Sequence, residues 1–214
     1  VARRLIEKAT NFSNHDRQDL LSLIASLLAD IPTMHKKLVE SGKLELTTTP
    51  YAHPIMPLML DFNAARETVP EALIPDEQYP GGRERALDHI ALAQENHEQL
   101  FGHVAKGCWP AEGAVCNDTL ALLGQSGFDW CATGEAVLHH SLKTNLREQQ
   151  GNRDLYHPWL VGEGEDQISC FFRDDRLSDL LGFEYSQWNT DDAINNFTHE
   201  LAGIHHRTQG MDAP

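Results

Sequence analysis

Lys106-Gly107-Cys108-Trp109-Pro110-Ala111-Glu112-Gly113-Ala114-Val115 sets one carboxylate beside an indole where one kind of element gives way to another. Lys106 to Trp109 reads as a short strand, Pro110 stops it, and helical spacing takes over from Asn117 to Leu123. Glu112 is therefore expected at the C-terminal end of a strand. In an α/β barrel that end gathers the loops that do chemistry, while the opposite end mainly stabilises the fold. A Trp can stack on the apolar face of a sugar ring, so a carboxylate next to it suits glycoside chemistry. The simpler alternative is a loop Glu near a core Trp.

Upstream, Leu20, Leu21, Leu23, Ile24, Leu27, Leu28, Ile31, Met34 and Leu38 recur at helical spacing, which predicts a helix from Asn14 to Glu40 with Ser13 or Asn14 as its cap and a possible bend at Pro32. Ser41-Gly42 ends it. Leu44, Leu46 and a run of threonines then predict a strand over Lys43 to Thr49. Glu45 lies inside that strand, where a buried acid needs a partner or a role. Thr49-Pro50-Tyr51-Ala52-His53-Pro54 is a stiff loop, because two prolines restrict it, and stiff loops position side chains. His53 is thus a candidate binding group, or equally a cap for the short helix expected from Pro54 to Arg66.

Val69 to Pro80 reads as irregular, Tyr79-Pro80-Gly81-Gly82 as a turn, and Arg83 to Val104 as a helix. Beyond Glu112, Asn117 to Gly127 is predicted helical and Phe128 to Thr133 a strand, with Glu135 at its end in the topological place that Glu112 holds on its own strand. Val137 to Asn152 begins as helix and turns polar, and Gly162 to Asp166 is a charged turn. Gln167 to Phe172 reads as a buried strand. It ends in Arg173, whose guanidinium could hold carboxylates or sugar hydroxyls, or close an internal ion pair. Helical pieces follow from Leu177 to Phe183 and from Asp191, capped by Thr190, to His206. The polar tail from Thr208 is expected to fray. Strand and helix alternate four times with no internal repeat, which argues for an α/β fold on a parallel sheet, and four strands are too few to close a barrel.

The formal charge of −15 disfavours nucleic acid and anionic membranes, both of which need basic patches to displace counterions. An uncharged substrate fits better. At 41% hydrophobic and 23% charged, the composition is that of a folded globular chain without a transmembrane run. Cys108, Cys116, Cys131 and Cys170 form no CxxC pair and read as buried thiols in a reducing cytoplasm rather than as two disulfides. The twelve histidines include adjacent pairs whose side chains diverge on a helix, and none has metal-ligand spacing, so no metal or cofactor is expected.

Taken together and in order, several stretches resemble the N-terminal catalytic domain of family 57 glycoside hydrolases, most nearly its amylopullulanase-like branch. They are Gly42 to Ile55, Tyr79-Pro80-Gly81-Gly82, Gly107-Cys108-Trp109-Pro110-Ala111-Glu112, Phe128 to Glu135, and Phe172 to Ser186, spanning about Gln18 to His206. The resemblance implies a parallel-stranded (β/α)7-type barrel, incomplete in this segment, with residues 1–214 as part of one catalytic domain. It implies a retaining hydrolase or transglycosylase acting on α-glucans such as starch, glycogen or maltodextrin. Glu112 matches the family's nucleophile, and Glu45 and His53 fall in a motif that lies near substrate. With Trp109, Glu135 and Arg173 they make up the expected binding residues.

Three departures accompany the match. The family's opening His-Gln-Pro motif is absent, as expected if Val1 is a cut end. Lys43 stands where the family often has Gln. No Asp-Gly-Glu-Asn-like acid/base motif follows the helix containing His199, so the remainder of a parent chain is expected to supply it and to complete the barrel. Two other functions stay open. One is a catalytically silent carbohydrate-binding barrel; the other is a metal-dependent polysaccharide deacetylase on a related barrel, for which no compact ligand set is evident.

Overall fold

The structure is a computed structural model and describes residues 1–144 and 151–209. The polar stretch expected toward Asn152 and the tail beyond Gln209 lie, in part and in whole, outside the described residues. In chain order come helices α1 (Ala2–Lys8), α2 (Asn14–Glu40), α3 (Met56–Leu60), α4 (Ala65–Thr68) and α5 (Gly82–Phe101). Strand β1 (Gly107–Cys108), α6 (Asn117–Gln125), β2 (Trp130–Gly134), α7 (Glu135–Thr144), β3 (Trp159–Val161) and β4 (Ile168–Arg173) follow, then α8 (Asp175–Asp179) and α9 (Thr190–Thr208). The chain divides into two compact units, Val1–Leu46 with Glu95–Val104, and Thr47–Gln94 with Ala105–Pro214.

In the first unit α2 starts with a capping box. Ser13 Oγ accepts from the Asp16 N–H at 3.2 Å, while the Asp16 carboxylate accepts from the Ser13 N–H at 2.8 Å, so two helix-end donors are satisfied reciprocally. Ser13 is thus the cap. Asp16 is only 3% exposed and also takes the Arg4 guanidinium at 2.6 Å and the Lys8 ammonium. The Lys8 hydrogen bond above all, then those from Ser13 and Arg4, holds its carboxyl far below the ordinary carboxylate range. The helix continues through Pro32, and its Leu20, Ile24, Leu27, Ile31 and Met34 are exposed.

The second unit is built on a four-stranded sheet in the order β1-β2-β4-β3. β1, β2 and β4 are parallel, and β3 runs antiparallel to β4 at the edge. The register places Cys108 beside Cys131 and Cys131 beside Cys170, so three thiols line up across the parallel strands. All three are buried in a core with Leu120, Leu122 and Leu123 of α6, Ala86 and Ile90 of α5, Met56, Phe128 and Ile168. Small residues at one level of the sheet let these helices approach it closely. On β1, Gly107 has no room for a side chain, because a Cβ there would sit 2.3 Å from the Trp130 ring. Gln94 sets the start of β1 by bonding both backbone groups of Ala105, its amide donating at 3.0 Å and its carbonyl accepting at 2.8 Å.

Three expectations need correction. Lys43 to Thr49 is not a strand: only Thr48 pairs, in a parallel bridge to Cys108. A strand lasts only as long as its ladder partner, and β1 offers two residues. Glu45 consequently lies on an exposed, irregular segment rather than buried in a sheet. At α9 the cap is Asn189, whose Oδ1 accepts from the Asp191 N–H at 3.0 Å, and Thr190 is the first helical residue. The antiparallel β3 was not anticipated at all.

Candidate active site

The loop after β1 is compact and lies against β2. Trp109 donates its N–H to the Thr48 carbonyl at 2.9 Å, the Gly113 N–H reaches the Pro110 carbonyl at 2.9 Å, and the Ala114 N–H reaches the Ala111 carbonyl at 3.0 Å. Ala111 and Gly113 are buried on either side of Glu112, which is left on the crest, 75% exposed, with φ 55° and ψ 15°. Thr133 of β2 locks this turn from beneath by donating its hydroxyl to the Gly113 carbonyl at 2.5 Å. Thr133 is itself 1% exposed, so the bond is shielded from water.

A second loop comes to the same place from the Thr48 side. The Thr48 N–H bonds the Gly107 carbonyl at 3.1 Å, Pro50 is buried, and both backbone groups of Tyr51 are held by His89 of α5. The Tyr51 N–H donates to the His89 carbonyl at 2.9 Å, and His89 Nδ1 donates to the Tyr51 carbonyl at 2.6 Å. Beyond these anchors Ala52 and His53 both turn through φ 58°. The result brings His53 Nδ1 to 4.0 Å from Glu112 Oε1. Of five non-glycine residues with positive φ among the described residues, Ala52, His53 and Glu112 are gathered here. Each such conformation costs on the order of 1–3 kcal/mol, and such costs concentrate at functional sites.

Glu135 and Arg173 form a neighbouring group. Glu135 opens α7 directly after β2, and its Oε2 accepts the Asp175 N–H at 2.9 Å. Arg173 at the end of β4 donates to Asp175 Oδ1 at 2.8 Å. Asp175 thereby ties the ends of β2 and β4 together. Next to it, Asp174 caps α8 by accepting the Leu177 N–H at 2.7 Å and takes the Tyr156 hydroxyl at 2.7 Å. Partial burial, with this bond to Asp174, pushes the Tyr156 phenol up to about 12. Glu135, Tyr156, Asp174, Arg176 and Glu200 line a small cavity of about 130 Å³.

The sequence candidates are thus distributed unevenly. His53, Glu112 and the half-buried Trp109 belong to the loops around β1, Glu135 and Arg173 meet at Asp175, and Glu45 lies in the other compact unit. Thr133 and Tyr156 were missed. Thr133 ends an ordinary strand pattern, and nothing in the spacing of Tyr156 marks its partner 18 residues on. Among the described residues no group of three or more His, Cys, Asp or Glu side chains could hold a metal ion, and no helix is long and apolar enough to cross a membrane.

The profile of glycosyl hydrolase family 57 matches residues 12–212. Among solved structures, a 4-alpha-glucanotransferase from Thermococcus litoralis is similar with a TM-score of 0.53 at 19% identity, over 77% of this chain and 21% of that one. The alpha-amylase AmyC from Thermotoga maritima gives a TM-score of 0.52 at 17% identity, over 84% of this chain and 31% of that one. Both likenesses are of fold, and this chain spans a fifth to a third of the length of either. No curated protein sequence matches.

Proposed function

Since the chain belongs to glycosyl hydrolase family 57, with the α/β fold of its incomplete (β/α)7-type barrel, we propose that it contributes the nucleophile side of a retaining α-glucan hydrolase or transglycosylase. One observation carries this reading: an exposed Glu112 is held in a left-handed turn at the C-terminal end of a parallel strand, with buried residues on either side and a buried hydroxyl beneath it. A carboxylate held in this way can attack. Trp109, His53, Glu135 and Arg173 are the proposed substrate-binding residues around it, and Glu45, in the first unit, is a proposed substrate-binding residue as well.

In the proposed reaction a Glu112 oxygen bonds the anomeric carbon as the glycosidic C–O bond breaks. The departing oxygen takes a proton from a second carboxylic acid roughly 5–5.5 Å away. Water or a sugar hydroxyl then attacks the same carbon, returns its proton to that acid and releases Glu112. The small share of the relatives' length supports a parent chain that supplies the acid, completes the barrel and makes one catalytic domain with both units described here. Four free cysteines, with the Cys131 and Cys170 sulfurs sharing a hydrogen bond at 3.4 Å rather than a disulfide, support a cytoplasmic setting. Burial pushes the Cys108 thiol up to about 12.

The test is Glu112→Gln in the full-length protein, with maltodextrin as substrate. The amide keeps the shape but cannot form the glycosyl ester, so kcat should fall by several powers of ten, on the order of 10³ or more, while glucan binding persists. An activated deoxyfluoro α-glucosyl donor should label the peptide containing Glu112. Near wild-type kcat in this variant, or label on another carboxylate, would exclude the assignment.

A further inference from the structure

We infer that His53 is a positioning residue for the Glu112 carboxylate, holding one of its oxygens so that the other faces the anomeric carbon; this rests on Glu112 being the nucleophile. Three observations converge on it. His53 Nδ1 lies 4.0 Å from Glu112 Oε1. The histidine is brought there by a loop fixed at Thr48, Pro50 and Tyr51, so its place is set by the sheet and by α5 rather than by its own mobility. Finally, the backbone on both sides of the contact is left-handed, at Ala52, His53 and Glu112, a cost the fold sustains at no other cluster among the described residues of this unit.

The chemistry follows from which nitrogen faces the acid. With its proton on Nδ1, or on both nitrogens, the imidazole directs an N–H toward Oε1. At 4.0 Å in an open site this attraction is weak, and catalytic contacts of this kind shorten when substrate displaces water. Holding Oε1 fixes the carboxylate plane and presents Oε2 for attack. In the glycosyl ester Oε1 becomes the ester carbonyl oxygen. When water or a sugar hydroxyl then displaces the carboxylate, negative charge returns to that group, and the same N–H stabilises it. His53 gains and loses no proton in either step.

The positive φ of His53 makes a clean set of variants possible. Gly accepts this backbone and removes the side chain, while Asn and Asp also tolerate it and differ in what they present. Asn places an N–H₂ near the position of Nδ1; Asp places a second carboxylate there. Each is made in the full-length protein, checked for an unchanged melting transition, and assayed on maltodextrin for kcat and KM separately, with Glu112→Gln alongside. His53→Gly should lower kcat by about 10- to 100-fold with KM within about threefold, the scale expected when a reacting group is misplaced. His53→Asn should recover most of that loss, and His53→Asp should be slower than His53→Gly. A kcat in His53→Gly within twofold of wild type, a rise in KM with kcat unchanged, or an Asn variant no better than Gly would overturn the positioning role. Turnover by Glu112→Gln would instead remove the nucleophile reading on which it rests.

Discussion

The Thr133 hydroxyl and the Gly113 carbonyl, on neighbouring segments of the sheet and its loop, are joined by a buried 2.5 Å hydrogen bond. Replacing Thr133 with Val keeps the volume and removes the donor, leaving a carbonyl without a partner where water does not reach. That should cost about 1–3 kcal/mol, read as a lower urea midpoint with unchanged slope. In the full-length protein kcat should fall more than KM rises, since the turn carrying Glu112 loosens. A Val variant with wild-type stability would show that the bond holds nothing in place.

Gly107→Ala is expected to disturb the opposite side of the same strand. The new methyl would meet the Trp130 ring at 2.3 Å, and that ring in turn packs edge-to-face on Phe171 at 5.6 Å. Overpacking of this kind costs about 1–3 kcal/mol, so the melting temperature should drop and the near-ultraviolet circular dichroism of the indole should change. An unaltered aromatic signal would mean that the two rings have room that the structure does not show.

Acid should weaken the Asp16 corner. The partners of Asp16 hold its folded carboxyl below the ordinary value of 3.8, so the stability it contributes is complete above that value and is lost progressively as pH falls below it. The gap in melting temperature between wild type and Asp16→Asn should therefore be wide at pH 7 and shrink below pH 3.8. A gap independent of pH would show that the effect of the substitution is not linked to proton uptake at Asp16.

The sheet was legible in the sequence where a strand is bounded by strong punctuation. Pro110 closes β1, Gly127 precedes β2, and Ile168, Cys170, Phe171 and Phe172 allow few alternatives to β4. Trp159-Leu160-Val161, confined between Pro158 and Gly162, is too short to show an alternation, so β3 was invisible. Lys43 to Thr49 was read as strand because Leu44 and Leu46 alternate correctly. Alternation describes one strand, whereas a ladder needs two, and β1 has only two residues to give. The position of Glu112 could be anticipated from its flanking Pro and Gly, but its approach to His53 could not. That contact depends on Thr48 falling opposite Cys108, a register set by tertiary packing across 60 residues of chain.

The left-handed backbone at Glu112 also bears on side-chain length. Gly, Asn and Asp occupy that conformation most readily, so Asp would retain the negative charge with less strain. It would also bring the carboxylate one methylene closer to the main chain, back toward the buried Ala111 and Gly113. Glu at this position accepts the less comfortable backbone in exchange for reach. The loop therefore specifies a distance as well as a charge, and the two requirements can be separated by shortening one side chain.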